Sequence, residues 1–381
     1  MKNFRLFLMV LFFMNLFHEA SLNAQNDTLP KAVRDKVISI FQNFQIGFYI
    51  DAYYSKTIDA KDTSNIIPYY SNSQFANQIR MNLASMWIKY NSEHARGYLA
   101  IQYGDAPMLL TNVSEQFIKY LRQANFGFKI YKGLWIDFGY MLDPVGVESS
   151  WPILNKLSTV TVGGYYEPGS LLGIKLSYVF SDKLNAALYA CNPYSIAYGK
   201  NTGLSIAGLL NYKPKPNIGM TYTFLFGNQA PKGAPKEIFQ MYNNLVFDYT
   251  PAKWFNVTAQ FDFAIQGNTN PLDSNKIGNT ITLMSGFLQT QFVPIKLISL
   301  TLRGEFFYDP DAMLSHVYYK SQPQPTGLKC LGATAGIEIR PLKDAYLRME
   351  YRALAGNPDE AIFYGNEDQQ QVLTFTTGLR F

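Results

Sequence analysis

The chain ends on the stretch Gln369-Gln370-Gln371-Val372-Leu373-Thr374-Phe375-Thr376-Thr377-Gly378-Leu379-Arg380-Phe381. Every second residue from Leu373 to Phe381 is apolar or a threonine, whereas the residues between them are small or polar. Successive side chains of a β-strand point to opposite faces, so this pattern predicts a strand with one apolar and one polar face. Such a strand with a terminal Phe is typical of the closing strand of an outer-membrane β-barrel. The edge strand of a soluble sheet would show the same alternation.

The composition of the whole chain favours the membrane barrel. Charged residues make up 16% of the 381 residues, against about 25% in an ordinary soluble domain. Aromatic residues make up 15%, with 27 Tyr and 28 Phe against 4 Trp. The mean hydropathy is near neutral, too low for a helical membrane protein but suitable for a barrel whose strands turn one face to water. The net charge of +5 indicates a pore that does not repel anions.

The N-terminal residues resemble a secretory signal. A basic start precedes an apolar run from Leu6 to Phe17, and Ala24 closes a suitable cleavage site. A helix needs about 20 apolar residues to cross a bilayer, so we predict a signal peptide at residues 1–24. Residues 25–43 are predicted to be a periplasmic lead-in and residues 44–381 the barrel. No later run is long and apolar enough for a membrane helix, so insertion requires strands closed into a barrel.

Strand-like alternation recurs along the rest of the chain. We count about 16 such segments, each near the 9–11 residues that a tilted membrane strand needs. Short turns such as Tyr131-Lys132-Gly133 alternate with long polar loops such as Leu142 to Pro168. This alternation is the layout of an outer-membrane barrel. We therefore predict an all-β fold, a transmembrane antiparallel up-and-down β-barrel of about 16 strands, with the short turns and both termini on the periplasmic side.

Several short motifs resemble a known family. They are Gln123 to Lys129, Phe138 to Gly146 beyond the turn at Gly133, and Gly173 to Tyr178 leading to Ser181-Asp182-Lys183-Leu184. Together they resemble the OmpL-like family of β-barrel porins, over nearly the whole mature chain. The resemblance implies an outer-membrane location and passive diffusion of small hydrophilic solutes or ions. The chain departs from the family pattern after Pro144, where a Ser-Arg pair often found at this position is absent.

The charges expected to face the interior are concentrated in the last strands. There Glu338 is predicted to lie opposite Arg348, and opposite charges on neighbouring strands attract. Two interpretations remain open and can both hold: a mixed-charge constriction that sorts solutes, or a salt-bridge network that stiffens the wall. The predicted pore-lining residues are Arg80, Arg96, Lys129, Asp137, Asp262, Arg303, Glu305, Glu338, Arg340, Arg348, Glu350 and Arg352.

The loop from Leu142 to Pro168 is the predicted constriction. By analogy with general porins we favour a loop folded into the lumen over one that stands outward. Its candidate residues are Asp143, Glu148, Trp151 and Lys156. At the other end of the chain, Phe381 is predicted to be the signal by which the barrel-assembly machinery recognises the last strand. Outer-membrane lipid and lipopolysaccharide are the other expected partners, and further copies of the chain are compatible with the sequence.

Other functions find little support in the sequence. His94 and His316 lie in a turn and a loop, whereas a barrel hydrolase needs a Ser and a His on neighbouring strands, so no enzyme activity is expected. Cys191 and Cys330 lack metal-ligand spacing, and whether they pair remains open. No cofactor, metal or nucleic-acid partner is expected. The alternative function is a closed barrel whose long loops carry a structural role or bind a ligand at the cell surface.

Overall fold

The computed structural model describes residues 42–58, 65–108, 116–192, 203–230, 237–267, 280–321, 325–363 and 366–381. Within them sixteen strands form a closed barrel. The predicted signal peptide and nearly all of the lead-in lie outside the described residues. The barrel strands are β1 (Phe44–Thr57), β2 (Ile79–Asn91), β3 (Ala95–Tyr103), β4 (Leu121–Tyr131), β5 (Leu134–Met141), β6 (Leu171–Ser181), β7 (Leu184–Cys191), β8 (Ser205–Lys215), β9 (Ile218–Asn228), β10 (Phe239–Ala252), β11 (Phe255–Gln266), β12 (Ile281–Ile295), β13 (Ile298–Tyr308), β16 (Lys329–Leu342), β17 (Ala345–Gly356) and β19 (Gln369–Arg380).

Each barrel strand pairs antiparallel with its neighbours in chain order, and β19 closes the barrel against β1. At this seam the Phe48 N–H donates to the Phe381 carbonyl at 2.7 Å, and the Phe381 N–H donates back at 3.0 Å. The two aromatic rings stack with their centroids 5.4 Å apart. The predicted all-β antiparallel barrel, and the closing role of the last stretch of sequence, are therefore confirmed.

Side chains alternate between the two faces of the wall as the period of two requires. In β19, Val372, Thr374 and Thr376 are buried inside the barrel, whereas Phe375 and Leu379 are exposed on its outer surface. Leu and Phe side chains are exposed in the same way around the other strands. In water such a surface would be unfavourable, but in a bilayer it faces hydrocarbon.

The described connections differ at the two rims. Short turns join β2 to β3 and β4 to β5, and this arrangement repeats around the rim where β1 begins and β19 ends. The opposite rim carries the longer loops. These loops contain α1 (Asp105–Met108), η1 (Gln116–Tyr120), η2 (Pro152–Leu154), α2 (Val162–Tyr166), and a small sheet of β14 (Val317–Tyr319), β15 (Pro325–Thr326) and β18 (Glu360–Ala361). Among the helices described, none has the length and apolar character to span a bilayer.

An apolar cluster fills part of the barrel near the long-loop rim. Leu225, Tyr242 and Leu283 project from the wall and pack with Val145 and Val162 of the loop that follows β5. Phe307, Val317, Leu328, Ile362 and Phe363 complete the cluster from the last strands and their loops. Cys191 and Cys330 also belong to it, and both are free thiols in the structure. The described parts of the loops that follow β5, β13 and β17 therefore pack into the mouth of the barrel.

Candidate functional site

The segment between β5 and β6, residues 142–170, lies inside the barrel and is called the inner loop. Its Gly146 N–H donates to Asn244 Oδ1 of β10 at 3.3 Å, and its Val147 N–H donates to Gln260 Oε1 of β11 at 3.0 Å. The hydroxyls of Ser158 and Thr376, in β19, are 2.6 Å apart. Strands on the far side of the wall can be reached only across the lumen, so the inner loop narrows the interior.

Buried ion pairs attach the inner loop to the wall. Arg303 Nη1 donates to Glu148 Oε1 at 2.7 Å and to the Thr159 carbonyl at 2.8 Å. On the same wall Arg352 Nη2 lies 2.9 Å from Glu305 Oε1, and Glu305 accepts from the Val162 N–H at 2.7 Å. The Arg303 side chain is 0% exposed. Each of these charges is therefore neutralised by a partner and covered by the inner loop.

A second group of ion pairs lies closer to the short-turn rim. Glu338 pairs with Arg348 in the sheet register, as predicted, and Arg348 Nη2 lies 2.5 Å from Glu338 Oε2. Arg348 also donates to Ser158 Oγ and to the Asn155 carbonyl, both at 2.8 Å. Together the two groups form an extended network, called here the ion network. Its members are Glu148, Arg303, Glu305, Glu338, Arg340, Arg348, Glu350 and Arg352.

The other inner-loop candidates occupy distinct positions. Trp151 stacks on Tyr49 of β1 with centroids 5.3 Å apart. Lys156 donates to Thr258 Oγ1 at 2.5 Å and to Asn256, and its ammonium lies 3.7 Å from Asp248. Asp143 accepts from the Val145 N–H at 2.8 Å. Asp143 lies at the start of the loop and Trp151 and Lys156 lie near its middle, and their role as a constriction remains a prediction.

Burial governs the ionisation of the inner-loop acids. It raises the pKa of Asp143 to about 7. Burial also raises the pKa of Glu148, although the nearby Arg303 guanidinium opposes the shift. The pKa of Glu167 lies well above its ordinary value because of burial and the neighbouring carboxylates of Asp262, Glu148 and Asp143. Near neutral pH the inner loop therefore carries less negative charge than its number of Asp and Glu residues implies.

The opposite wall presents its charges differently. Arg96 of β3 binds Asp137 of β5 through two bonds of 2.6 and 2.5 Å, and Lys175 of β6 lies 3.2 Å from the same carboxylate. The Asp137 side chain is 2% exposed, whereas Arg96 and Lys175 are 30% and 24% exposed. Gly127 makes this possible, because a Cβ there would collide with the Asp137 carboxylate. The acid is thus buried against the wall behind the two cations.

The remaining predicted pore-lining residues are spread around the wall. Arg80 Nε lies 2.6 Å from Asp105 Oδ2, and again the cation is 33% exposed and the acid only 7%. Lys129 is exposed near the short-turn end of β4. Asp262 is buried and accepts from Asn244 at 2.6 Å and from Ser285 at 2.8 Å. Among the described residues, no cluster of three His, Cys, Asp or Glu side chains could hold a metal ion.

Lys89, Arg122 and Lys175 are inward-facing cations that the sequence prediction missed. Lys175 stands between Ile174 and Leu176 in an alternating strand, so its inward direction could have been read from the sequence. Arg122 could not, because β4 carries a bulge: Ala100 pairs with Gln123 and Ile101 with Leu121. The bulge interrupts the strict alternation and lets Arg122 lie over the Trp151 ring, 4.7 Å from its centroid, bonded to Ser150.

Comparisons with known proteins agree with this architecture. The family model described as "Putative beta-barrel porin-2, OmpL-like" matches residues 43–381. A search of curated proteins finds no match. Among solved structures, Salmonella typhi OmpF in complex with daunomycin has a TM-score of 0.59 at 12% identity and covers 89% of this chain and 97% of its own.

Two further solved structures share the fold. The outer membrane channel DcaP of Acinetobacter baumannii has a TM-score of 0.58 at 11% identity, covering 89% of this chain and 97% of its own. The trimer form of OmpT, an outer membrane protein of Vibrio cholerae, has a TM-score of 0.55 at 9% identity, covering 89% and 99%. At such identities the likeness concerns the fold alone.

Proposed function

The chain belongs to the OmpL-like family of β-barrel porins of the bacterial outer membrane, and from this premise we propose the route that solutes take through it. Small hydrophilic solutes diffuse passively along the inner face of β3 to β6, beside the inner loop. The inner loop reduces the cross-section of this passage and so limits the size of what passes.

One observation carries this proposal: the contrast in exposure between inward-facing side chains on the two sides of the lumen. Along β3 to β6, such side chains are partly exposed, among them Tyr98, Gln102, Gln123, Asn125 and Ser177. Along β13, β17 and β19, inward side chains such as Thr301, Thr374 and Thr376 are buried beneath the inner loop. Solvent reaches these side chains of the first wall and is excluded from those of the second, which supports a route for hydrated solutes beside the first wall.

Several further features of the function follow as parts of the proposal. The short-turn rim and both termini face the periplasm, residues 1–24 are removed on export, and residues 25–43 form the lead-in. Phe381, stacked on Phe48 at the seam, presents the last strand to the assembly machinery. The long loops contact lipopolysaccharide at the outer surface. Assembly into a homo-oligomer is supported by the trimer form of the OmpT structure.

The first experiment measures conduction directly. The purified, heat-modifiable barrel is reconstituted in a planar bilayer, and stepwise single-channel currents are expected. A folded barrel that never conducts would contradict the passive-diffusion proposal. It would favour the closed barrel, for which the apolar cluster at the long-loop rim provides a structural basis.

A cysteine-modification experiment locates the passage. In a background in which Cys191 and Cys330 are replaced by Ser, Asn125→Cys is expected to react with a charged thiol reagent and to lose conductance on reaction. Thr334→Cys is the matched control, because Thr334 faces inward on β16 but is buried. Reaction and block at Thr334, with none at Asn125, would place the passage on the other side.

A further inference from the structure

We propose that the passage selects small anions, and that Arg96, Arg122 and Lys175 form its selectivity site. The inference rests on the passive passage proposed above and adds the class of solute. It follows from which charges the structure presents to the lumen and which charges it covers. The expected ligands are hydrated inorganic anions such as chloride, and small carboxylates or phosphates that present the same charge.

The Arg96–Asp137–Lys175 group is the first part of the site. Two cations share one carboxylate, so the group carries an excess positive charge. Arg96 uses Nε and Nη2 for Asp137 and Ser177, and its guanidinium lies over the Trp135 ring at 4.4 Å. Because the acid is buried and the cations are partly exposed, a solute in the lumen meets the cations first.

Arg122 is the second part. Within the described residues, Arg122 donates a hydrogen bond to the neutral Ser150 hydroxyl, and its guanidinium lies over the Trp151 ring. No carboxylate in those residues forms an ion pair with it. The residue is 7% exposed, but a charge covered by low-dielectric protein acts on the adjacent lumen more strongly than one screened by water. Its field therefore adds to that of Arg96 and Lys175.

The ion network provides the contrast. It holds four arginines and four glutamates, each in contact with an opposite charge, so its net contribution is close to zero. In the described part of β2 to β6, inward-facing cations outnumber the acids that accompany them, Asp105 and Asp137. These cations are Arg80, Lys89, Arg96, Arg122, Lys129 and Lys175. The passage therefore runs along the positive side of the lumen.

The short-turn rim also carries a net positive charge. Most of its turns carry an exposed lysine, with Glu93, Asp182 and Asp344 as the opposing acids. A ring of like charge at a pore mouth raises the local concentration of counter-ions and steers them toward the entrance. The lysines are Lys132, Lys183, Lys215, Lys253, Lys296 and Lys343. Anions are therefore concentrated at the mouth that leads to the Arg96 group.

The test is the reversal potential of single channels under a KCl gradient. Wild-type protein is expected to prefer chloride over potassium. The double variant Arg122→Gln/Lys175→Gln retains the Arg96–Asp137 pair, and we expect its chloride-to-potassium permeability ratio to fall by about threefold or more, since fixed charges along a pore set its ion preference. The matched control is Lys56→Gln, which removes a cation from the exposed outer side of β1 and should leave the ratio unchanged.

The possible outcomes separate this inference from the proposed function. Channels that conduct without preferring chloride, or a double variant with the wild-type ratio, would overturn the anion site and leave the porin intact. Stable folding of each variant is checked by heat-modifiability. An independent readout needs no current: quenching of tryptophan fluorescence by iodide, compared with neutral acrylamide, should weaken in the double variant. Equal iodide quenching in both proteins would also overturn the proposal.

Discussion

The two sides of the lumen both carry charged side chains and use them in opposite ways. On β13, β16 and β17 the arginines and glutamates pair with one another and with the inner loop, and their side chains are almost fully buried apart from Arg340, which is 35% exposed. On β3, β5 and β6 the acid Asp137 is buried and its partners Arg96 and Lys175 remain accessible. The first arrangement holds a loop in place, whereas the second presents charge to a solute.

The difference shows that a side chain can point into the barrel without being in contact with water. A strand directs alternate side chains inward whatever lies opposite them. Whether those side chains meet solvent depends on what fills the lumen, and here the inner loop fills one side. A buried ion pair contributes attachment only while both partners remain, because either one alone is a buried uncompensated charge.

The largest expected effect is on stability. Arg352→Met removes the main partner of Glu305 and leaves that carboxylate buried, so the free energy of unfolding should fall by about 3–5 kcal/mol. Arg96→Met, on the accessible wall, leaves Asp137 paired with Lys175 and should cost about 1 kcal/mol or less. Unfolding by urea in lipid vesicles, followed by tryptophan fluorescence, measures both. Equal losses would remove the distinction between the two walls.

A second prediction concerns pH. The raised pKa values of Asp143 and Glu167 mean that the folded protein binds protons that the unfolded chain has released. Stability should therefore fall as pH rises from near 4, through the Asp143 pKa of about 7, and the loss is largest when both groups ionise.

The measurement is the free energy of unfolding at pH 5 and at pH 8. The wild-type barrel should be more stable at pH 5, and the double variant Asp143→Asn/Glu167→Gln should show a smaller difference. A wild-type protein that gains stability over this interval would contradict the buried, protonated state of the inner-loop acids.

A third prediction concerns a substitution that displaces the Asp137 carboxylate without removing it. Gly127→Ala places a Cβ where the Asp137 carboxylate and the Ile136 carbonyl now lie, so the carboxylate must shift toward the lumen. The preference for chloride should then decrease, by less than in the Arg122→Gln/Lys175→Gln variant. Gly97→Ala is the matched control, since a Cβ there meets only the Asn125 carbonyl at 3.6 Å. An increased chloride preference in Gly127→Ala would show that burial of Asp137 is not what exposes the positive charge.

The smallest expected effect is that of salt. Raising KCl from 0.1 to 1 M shortens the Debye length from about 10 Å to about 3 Å. The lysines of the short-turn rim are exposed, so their steering of anions should weaken, and the permeability ratio should move toward unity. The ion network is sheltered from solvent, and the stability difference between wild type and Arg352→Met should change little. Reversal potentials and unfolding curves at both salt concentrations test the two expectations together.

Much of the fold could be predicted because its signals are local. The alternation in Phe255 to Ile265 or in the last stretch needs only neighbouring residues, and it specifies strands and their faces. The sequence of short turns and long loops then indicated an antiparallel barrel, and the register of one hairpin placed Glu338 opposite Arg348, as the structure confirms. The family resemblance seen in the motifs near Gly127 and Gly173 is likewise confirmed.

Less of the candidate site than of the fold could be predicted from the sequence. The sequence by itself determined which side chains point inward in regular strands, because direction follows from the period of a strand, but not at the bulges of β2 and β4, where Leu83 and Arg122 turn inward. Only the tertiary structure decided which of them are covered, because burial depends on contacts between distant residues, such as Glu148 with Arg303. Because the inner loop crosses one side of the lumen, the ion network attaches this loop to the wall. The Arg96–Asp137–Lys175 group lies on the other side, beside the proposed passage.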